Sequence, residues 1–326
     1  MIHLTDAPRV HQQAARLSQT GRQRGFLWSL RHNKLFLLMA SPGVLLLLVF
    51  SYLPMIGIII AFKDFRANLG IFDSPWVGFK NFEFLFRSPV LARITINTLL
   101  LNGLFIVTGL VASVGLALLL NEVRLKIAAR AYQTVVFFPY FVSWVIVGYF
   151  SFALLNSDNG LVNQVLQRIG LSPVAWYSSP QYWPWILTLA YLWKSTGYGS
   201  VIYLAAMLGI NQEYYEAAML DGANKWQQIR YITLPHLVPV MTVLTLLAVG
   251  RIFFADFGLF YYVTRDNSLL YATTDVIDTY VYRALRVNAD IGMAAAAGLY
   301  QSVVGFVLIL ASNWMVKKID PDRALF

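Results

Sequence analysis

The chain has no cysteine among its 326 residues. That absence removes disulfide frameworks, thiolate metal sites and dithiol redox chemistry. Charge is scarce too: 13% of residues are Asp, Glu, Lys or Arg, 58% are hydrophobic, and mean hydropathy is +0.59. A soluble domain carries about 25% charged residues, so composition points to a membrane protein with several crossings. Only four histidines occur. His3, His11, His32 and His236 lie outside the centres of the apolar runs, which leaves little for a buried metal or proton relay. No H-E-x-x-H, G-x-S-x-G or other nucleophile–base constellation is found, which argues against a membrane enzyme. There is no G-x-x-x-x-G-K-S/T phosphate loop, so the chain is not expected to hydrolyse ATP itself. Nor is a signal peptide expected, because the first apolar segment is too long for a signal core and no A-x-A site closes it.

What is present is a series of apolar runs at 35–62, 94–121, 131–157, 183–210, 237–263 and 291–316. About 20 apolar residues of helix cross a bilayer core about 30 Å thick. The expectation is therefore an all-α integral membrane fold with six transmembrane helices. Pro42, Pro54 and Pro139 fall inside these runs and predict kinks, not breaks, because neighbouring helices tolerate proline there. Lys and Arg set the orientation: fourteen flank one side and nine the other, with six in the basic segment 1–34. By the positive-inside bias, both termini and the polar loop 211–236 face the cytoplasm. The net charge of +9 thus reflects orientation in a membrane, not a nucleic-acid surface. Trp176, Tyr177, Tyr182, Trp183 and Trp185 gather near the outer boundary and predict an interfacial aromatic belt.

The polar loop contains EYYEAAMLDGANKWQQIRYITLPHLVP at 213–239. Asn211 can cap a first helix, Glu213 and Glu216 suit its early turns, and Gly222 is placed to end it. Asn224 followed by Gln227 predicts a capping box for a second helix, which Pro235 closes before the fifth run. Tyr214, Ala217, Ala218 and Asp221 fall at i, i+3, i+4 and i+7 and share a face. The alanines let another backbone or groove approach closely, so the loop has the character of a small rigid knob.

These residues carry a resemblance. Glu216-Ala217-Ala218, Asp221-Gly222-Ala223, Ile232, Leu234-Pro235 and Pro239 resemble the EAA loop of ABC importer permeases. Trp76–Phe82, Leu85-Phe86 and Asn97-Thr98 resemble the maltose-type carbohydrate permeases. Asp275–Arg283 and Gly298–Gly305 resemble the subgroup that takes larger polysaccharide fragments, including the alginate importer and importers of pectin-derived uronates. The resemblance covers about residues 35–318 and implies a type I ABC importer transmembrane domain with a cytoplasmic EAA coupling loop at 211–236. Segments 1–34 and 319–326 would flank that domain in the cytoplasm. It implies a multi-pass subunit of the bacterial inner membrane, in contact with lipid and importing an oligosaccharide. A second homologous permease (a heterodimer), two ABC ATPase subunits and a periplasmic solute-binding protein would complete the machine. ATP and Mg would bind the ATPase subunits, with no cofactor in this chain. Coupling to the ATPase falls on Tyr214, Glu216, Ala217, Ala218, Asp221 and Gly222. The large extra periplasmic domain of some maltose permeases is missing, so short loops must receive the binding protein. Residues 274–285 can form an amphipathic helix there, with Ile277, Tyr280, Val281, Ala284 and Leu285 on one side.

Three ionisable residues interrupt the apolar runs. Lys194 lies about 17 Å along the fourth and Arg251 about 21 Å along the fifth, at 1.5 Å per residue; Asp256 follows. A central charge costs about 2.5–3.5 kcal/mol on insertion scales, so each should face a protein interior or a wet cavity. They either line a substrate path, or form a structural pair with Asp256 or with the second permease. Two cations on a path suit an acidic sugar of alginate or uronate type, and Trp193, Tyr198 and Phe254 are candidates to stack on sugar faces. A neutral oligosaccharide is the alternative cargo. An ion-coupled secondary transporter is the alternative class, though no duplication of halves is visible between 35–160 and 180–316.

Overall fold

The computed structural model describes residues 34–83, 89–287 and 289–319. Most of the basic segment, the Leu85-Phe86 pair and the tail from 320 lie outside them. The described residues fall into two compact units, one ending at Gly57 and the other beginning at Ile58.

In the first unit, α1 (Lys34–Leu47) accommodates Pro42 and continues into a π-helical turn, Leu48–Tyr52. Hydrogen bonding then tightens to a 3-10 stretch, Leu53–Phe62, that includes Pro54 and whose last five residues count with the second unit. The whole run, Lys34–Phe62, is 29 residues long and apolar enough to cross a membrane.

The second unit is built around two long helices, α2 (Pro89–Asn121) and α6 (Trp183–Leu208). At one end Leu101 and Phe105 of α2 pack with Trp183 and Leu187 of α6 and with Leu259, Phe260 and Val263. At the other end Val114, Ala117 and Leu120 meet Tyr203, Leu204 and Met207. Small residues let α6 approach its neighbours. A Cβ added to Gly197 would lie 1.8 Å from the Val136 carbonyl oxygen, so a helix carrying any side chain there would have to move.

Between these helices run α3 (Lys126–Phe137), α4 (Trp144–Leu155) and α5 (Leu161–Arg168). The third apolar run is not a kinked helix but a broken one. α3, prolonged by the 3-10 turn Phe138–Phe141, and α4 are bent by 94°. Pro139 cannot donate a backbone hydrogen bond, Val142 is extended, and Ser143 restarts the helix by accepting from the Ile146 N–H.

The polar loop forms α7 (Gln212–Leu220) and α8 (Lys225–Gln228). A π-helical turn, Ile229–Thr233, leads into α9 (Leu234–Gly250). The expected boundary at Pro235 is absent, and Lys225–Gly250 forms one 26-residue candidate span. Pro235 sits in the first turn of α9, immediately after the π turn shifts the hydrogen-bond register, where a missing N–H is tolerated. The fifth run ends at Gly250, not at residue 263: Arg251 caps α9, and helical structure resumes only beyond Asp256. α10 (Ile277–Val287) and α11 (Ile291–Ile319) complete the unit. The amphipathic helix expected over 274–285 is α10, starting three residues later because Asp275 is extended; Ile277 and Ala284 are buried, while Leu285 is exposed.

Among the described residues, four helices are long and apolar enough to cross a membrane, or five if the bent α3–α4 pair is one span. The other expected crossing, α6, is long enough, but Trp193–Ser200 dilutes its apolar character with Lys, Ser, Thr, Gly and Tyr. The aromatic belt divides. Tyr182 and Trp185 are exposed, whereas Trp183 is fully buried, with its indole N–H on the Trp176 carbonyl at 2.8 Å. Trp176 in turn donates to Asn163 (3.0 Å), and the Tyr177 hydroxyl to the Val263 carbonyl (3.2 Å). Burial pushes the Tyr177 hydroxyl up to about 12. These rings staple the connector between α5 and α6 onto the core.

The stretch after Gly250 is held by side chains from other elements. Asn102 of α2 donates to the Ile252 carbonyl (2.7 Å), and Gln301 of α11 to the Phe253 carbonyl (2.8 Å). Asp278 of α10 accepts from the Ala255 N–H (2.8 Å). Replacing Asn102 with alanine leaves a carbonyl unpaired and should cost about 1–3 kcal/mol. Thr108→Ala, which removes only a bond back to the Leu104 carbonyl of the same helix, should cost far less. Thermal unfolding of the two variants in detergent, side by side, checks the ordering.

Candidate functional site

The break between α3 and α4 leaves backbone carbonyls without helical partners, and Lys194 on α6 supplies them. Its ammonium donates to the Tyr140 carbonyl at 2.7 Å and to the Val142 carbonyl. It also lies 5.6 Å from the Tyr140 ring centre and 5.3 Å from that of Trp144. Two of its three donors are thus committed. Tyr198, one turn along α6, stacks on Tyr140 with ring centres 4.5 Å apart. Trp144 joins the two breaks, its indole N–H reaching the Asp256 carboxylate at 2.7 Å. The other oxygen of Asp256 accepts from the N–H groups of Gly258 (3.0 Å) and Leu259 (3.4 Å), capping the helical turn that follows.

Lys194, Tyr198 and Asp256 are therefore brought together around Tyr140 and Trp144, two residues the sequence reading passed over. Arg251 is not part of that group. It stands exposed at the end of α9, and among the described residues it has no ion-pair partner; the pairing with Asp256 left open by the sequence is not made. Phe254 lies three residues on, 41% exposed, and Trp193 is 50% exposed on α6. Asn102, Trp144, Asp278 and Gln301, which hold the non-helical backbone, have a sequence signal in retrospect: isolated polar or indole groups beside long apolar stretches.

The polar loop is ordered by its own ends. Asn211 caps α7 by accepting from the Glu213 N–H at 3.1 Å. At the other end the Ala223 N–H reaches the Ala218 carbonyl (2.8 Å) and the Gly222 N–H the Met219 carbonyl (3.1 Å). Gly222 has φ +81°, so this is a Schellman turn closed by glycine. Asn224 and Gln227 form the reciprocal capping box of α8, at 2.7 and 2.9 Å. Tyr214, Glu216, Ala217, Asp221 and Gly222 are exposed and Ala218 is half-buried. Leu220 and Trp226, 90% and 68% exposed, extend this surface with apolar side chains that sequence spacing did not single out. The loop is moored to the bundle through the Tyr215 hydroxyl on Thr233 (3.0 Å) and Lys225 on Glu122 (3.2 Å). A cavity of about 260 Å³ lies beneath it, bordered by Arg124, Gln212 and Gln228 among others.

At the far end of α6, two of the stretches that carried the resemblance converge. Asn97 donates to the carbonyls of Ala272 (3.3 Å) and Asp275 (3.1 Å), and Thr98 accepts from the Ile277 N–H (3.1 Å). Asp275, 1% exposed, is gripped by Arg93 (3.0 Å) and by Arg283. Burial works against the Arg283 charge, but Asp275 and Asp266 outweigh it and hold the guanidinium above its ordinary range. Burial also pushes the Tyr271 hydroxyl up to about 12, keeping it a donor to Asp266.

A helical bundle with broken spans and a capped polar loop is the architecture of a permease subunit, and residues 106–321 match the family of binding-protein-dependent transport system inner membrane components. The chain belongs to this family: it is a non-catalytic permease subunit of a binding-protein-dependent ABC importer, set in the inner membrane. It is 37% identical over 301 residues to the protein LplB of Bacillus subtilis (strain 168), covering 92% of this chain and 94% of the relative. It is 35% identical over 301 residues to the polygalacturonan/rhamnogalacturonan transport system permease protein YteP of the same organism, covering 92% and 93%. Among solved structures it is similar to a chain of a bacterial ABC transporter involved in the import of the acidic polysaccharide alginate. That match has a TM-score of 0.81 at 37% identity, covering 91% of this chain and 100% of the other.

Gly222→Val places a β-branched residue in a left-handed turn, which costs about 1–2 kcal/mol, and should sharply reduce substrate-stimulated ATP hydrolysis of the assembled importer. Gly222→Asn, which tolerates that conformation, should retain most of it. Equal stimulation in the two variants would show that the turn is dispensable for coupling.

Proposed function

We propose that this chain is one of two homologous permease subunits, paired as a heterodimer, that import an acidic oligosaccharide of alginate or uronate type. The domain 35–318 crosses the membrane six times, with the third crossing bent at Pro139 and the fifth interrupted after Gly250. Both termini and loop 211–236 face the cytoplasm, where α7 seats in a groove of an ABC ATPase subunit through Tyr214, Glu216, Ala217, Ala218, Asp221 and Gly222. Two such ATPase subunits bind ATP and Mg, and a periplasmic binding protein delivers the sugar to the opposite face. Access alternates, with the cavity open outward while the ATPase pair is closed on ATP.

The observation that carries the substrate class is Arg251. A guanidinium at the end of an apolar helix, without a carboxylate partner among the described residues, suits a carboxylate arriving from outside the chain. The similarity to YteP, of a polygalacturonan/rhamnogalacturonan transport system, and to a transporter of the acidic polysaccharide alginate supports this reading. Lys194 would contribute its remaining donor, Tyr198 a stacking face, and Trp193 and Phe254 flanking aromatic surface. Asp256 would act through Trp144, holding the ring beside Lys194.

Reconstituted importer with its binding protein should show ATP hydrolysis stimulated by uronate oligosaccharides more than by neutral ones of equal length. Arg251→Ala should assemble normally yet transport the acidic sugar at least about tenfold less well, the loss of one charge-assisted contact. Stimulation by a neutral sugar alone would reverse the assignment of cargo. A second check uses the cysteine-free chain: Ala218→Cys should cross-link to cysteines placed in the ATPase groove, and failure at every groove position would remove α7 from that interface.

A further inference from the structure

Beyond the Lys194 clamp, the turn that follows Val263 carries a further cation, Arg265, that no carboxylate of the described residues answers. Arg265 and Asp266 have φ of 59° and 46°, left-handed conformations that are uncommon for residues bearing a Cβ. Asp266 turns toward the buried cluster, where it accepts from Arg283 (2.7 Å) and Tyr271 (3.0 Å). Arg265 is thereby turned the other way, over Phe152 of α4, with its guanidinium carbon 4.0 Å from the ring centre. Among the described residues no hydrogen bond engages that guanidinium, which leaves its N–H donors available.

Arg265 roofs a cavity of about 200 Å³ bordered by Gly148, Phe152, Tyr149, Tyr261 and Tyr262. Its floor is fixed: a Cβ at Gly148 would lie 2.5 Å from the Tyr262 carbonyl oxygen. Tyr261 is held by Phe257 and Tyr282, with ring centres 4.9 and 5.2 Å away. Tyr149, by contrast, is 73% exposed and presents a free ring face. Trp144, Gly148 and Phe152 are spaced i, i+4, i+8 on one face of α4, so Phe152 lies about 12 Å along the helix from Trp144. Its direction is toward the connectors 158–182 and 264–276, at the end of α6 opposite the coupling loop.

We infer that this pocket is a subsite for one carboxylate-bearing sugar unit, occupied on the outer side of the Lys194 break. Arg265 pairs with the carboxylate through its in-plane fork, and the ring of Tyr149 lies against the sugar face. Aromatic walls on a rigid helix with one unpaired guanidinium match the makeup of a selective small-ligand site. This assignment rests on the oligosaccharide reading above and adds to it a station that Arg251 and Lys194 do not supply.

The test uses the assembled importer in vesicles with Val145→Cys, a pocket-edge position, in this otherwise cysteine-free chain. Saturating trigalacturonate should slow labelling by a membrane-impermeant maleimide about tenfold by mass action, and maltotriose should not. Arg265→Gln in the same background should abolish the protection, while Arg265→Lys keeps part of it. Unchanged labelling, equal protection by both sugars, or protection that follows the anionic-lipid content of the vesicles overturns the subsite. Transport measured in parallel separates the two readings. Uronate transport without protection removes the subsite and leaves the cargo assignment; protection without transport keeps the subsite and removes the cargo assignment.

Discussion

A backbone that leaves the helix inside an apolar bundle must have its N–H and C=O groups met by other parts of the protein, because lipid offers nothing in return. Among the described residues the second unit leaves the helix twice within its apolar runs, at Val142–Ser143 and at Arg251–Asp256. The rest of the second unit is arranged to satisfy those two interruptions. Lys194 meets the carbonyls of the first. Asn102, Gln301 and Asp278 meet three groups of the second, and the Trp144–Asp256 bond ties one interruption to the other. Every long helix of that unit except α9 sends a polar side chain to this junction. Burial raises the Asp278 carboxyl above its ordinary value, against the bonds from Ala255 and Gln301.

Such a junction is stable in one arrangement without being rigid in every direction. Helix ladders resist bending because each residue is bonded along its own segment, whereas these interruptions are held by single side chains from separate elements. Where a span must change tilt during a transport cycle, a side-chain-held interruption is the place with least backbone bonding to break. The ions there divide by role: Lys194 is largely spent on structure, Asp256 on capping and on orienting Trp144, while Arg251 keeps its donors. A charge census of the spans treats the three as equivalent, and only their bonding separates them.

The polar loop 211–236 was almost wholly legible from sequence, because caps are local. Asn211, Gly222 and the Asn224–Gln227 pair act within four residues of themselves, so spacing alone predicts the bonds. The family assignment was legible for the same reason, its residues clustering in that loop. Span ends were less so. Pro139 and Gly250 sit in runs that hydropathy treats as continuous, and whether a proline or glycine kinks or breaks a helix depends on whether Lys194 or Asn102, far away in sequence, is there to receive the freed groups. The burial of one belt residue was hidden for a similar reason, since Trp183 and Trp185 are alike by composition and only the partner at Trp176 draws one ring inward. Arg265 gave no signal, because left-handed backbone at a non-glycine residue has no compositional mark.

One consequence of the unbroken run from Lys225 to Gly250 concerns mechanical advantage. At 1.5 Å per residue its 26 residues form a rod of about 39 Å, whose near end belongs to the polar loop and whose far end carries Arg251. A tilt of about 10° about the loop end would swing the far end by about 7 Å, on the same helical rise. The rod is pierced by Pro235 and Pro239 yet continues past both, so a tilt imposed at the loop end would be carried, enlarged, to Arg251.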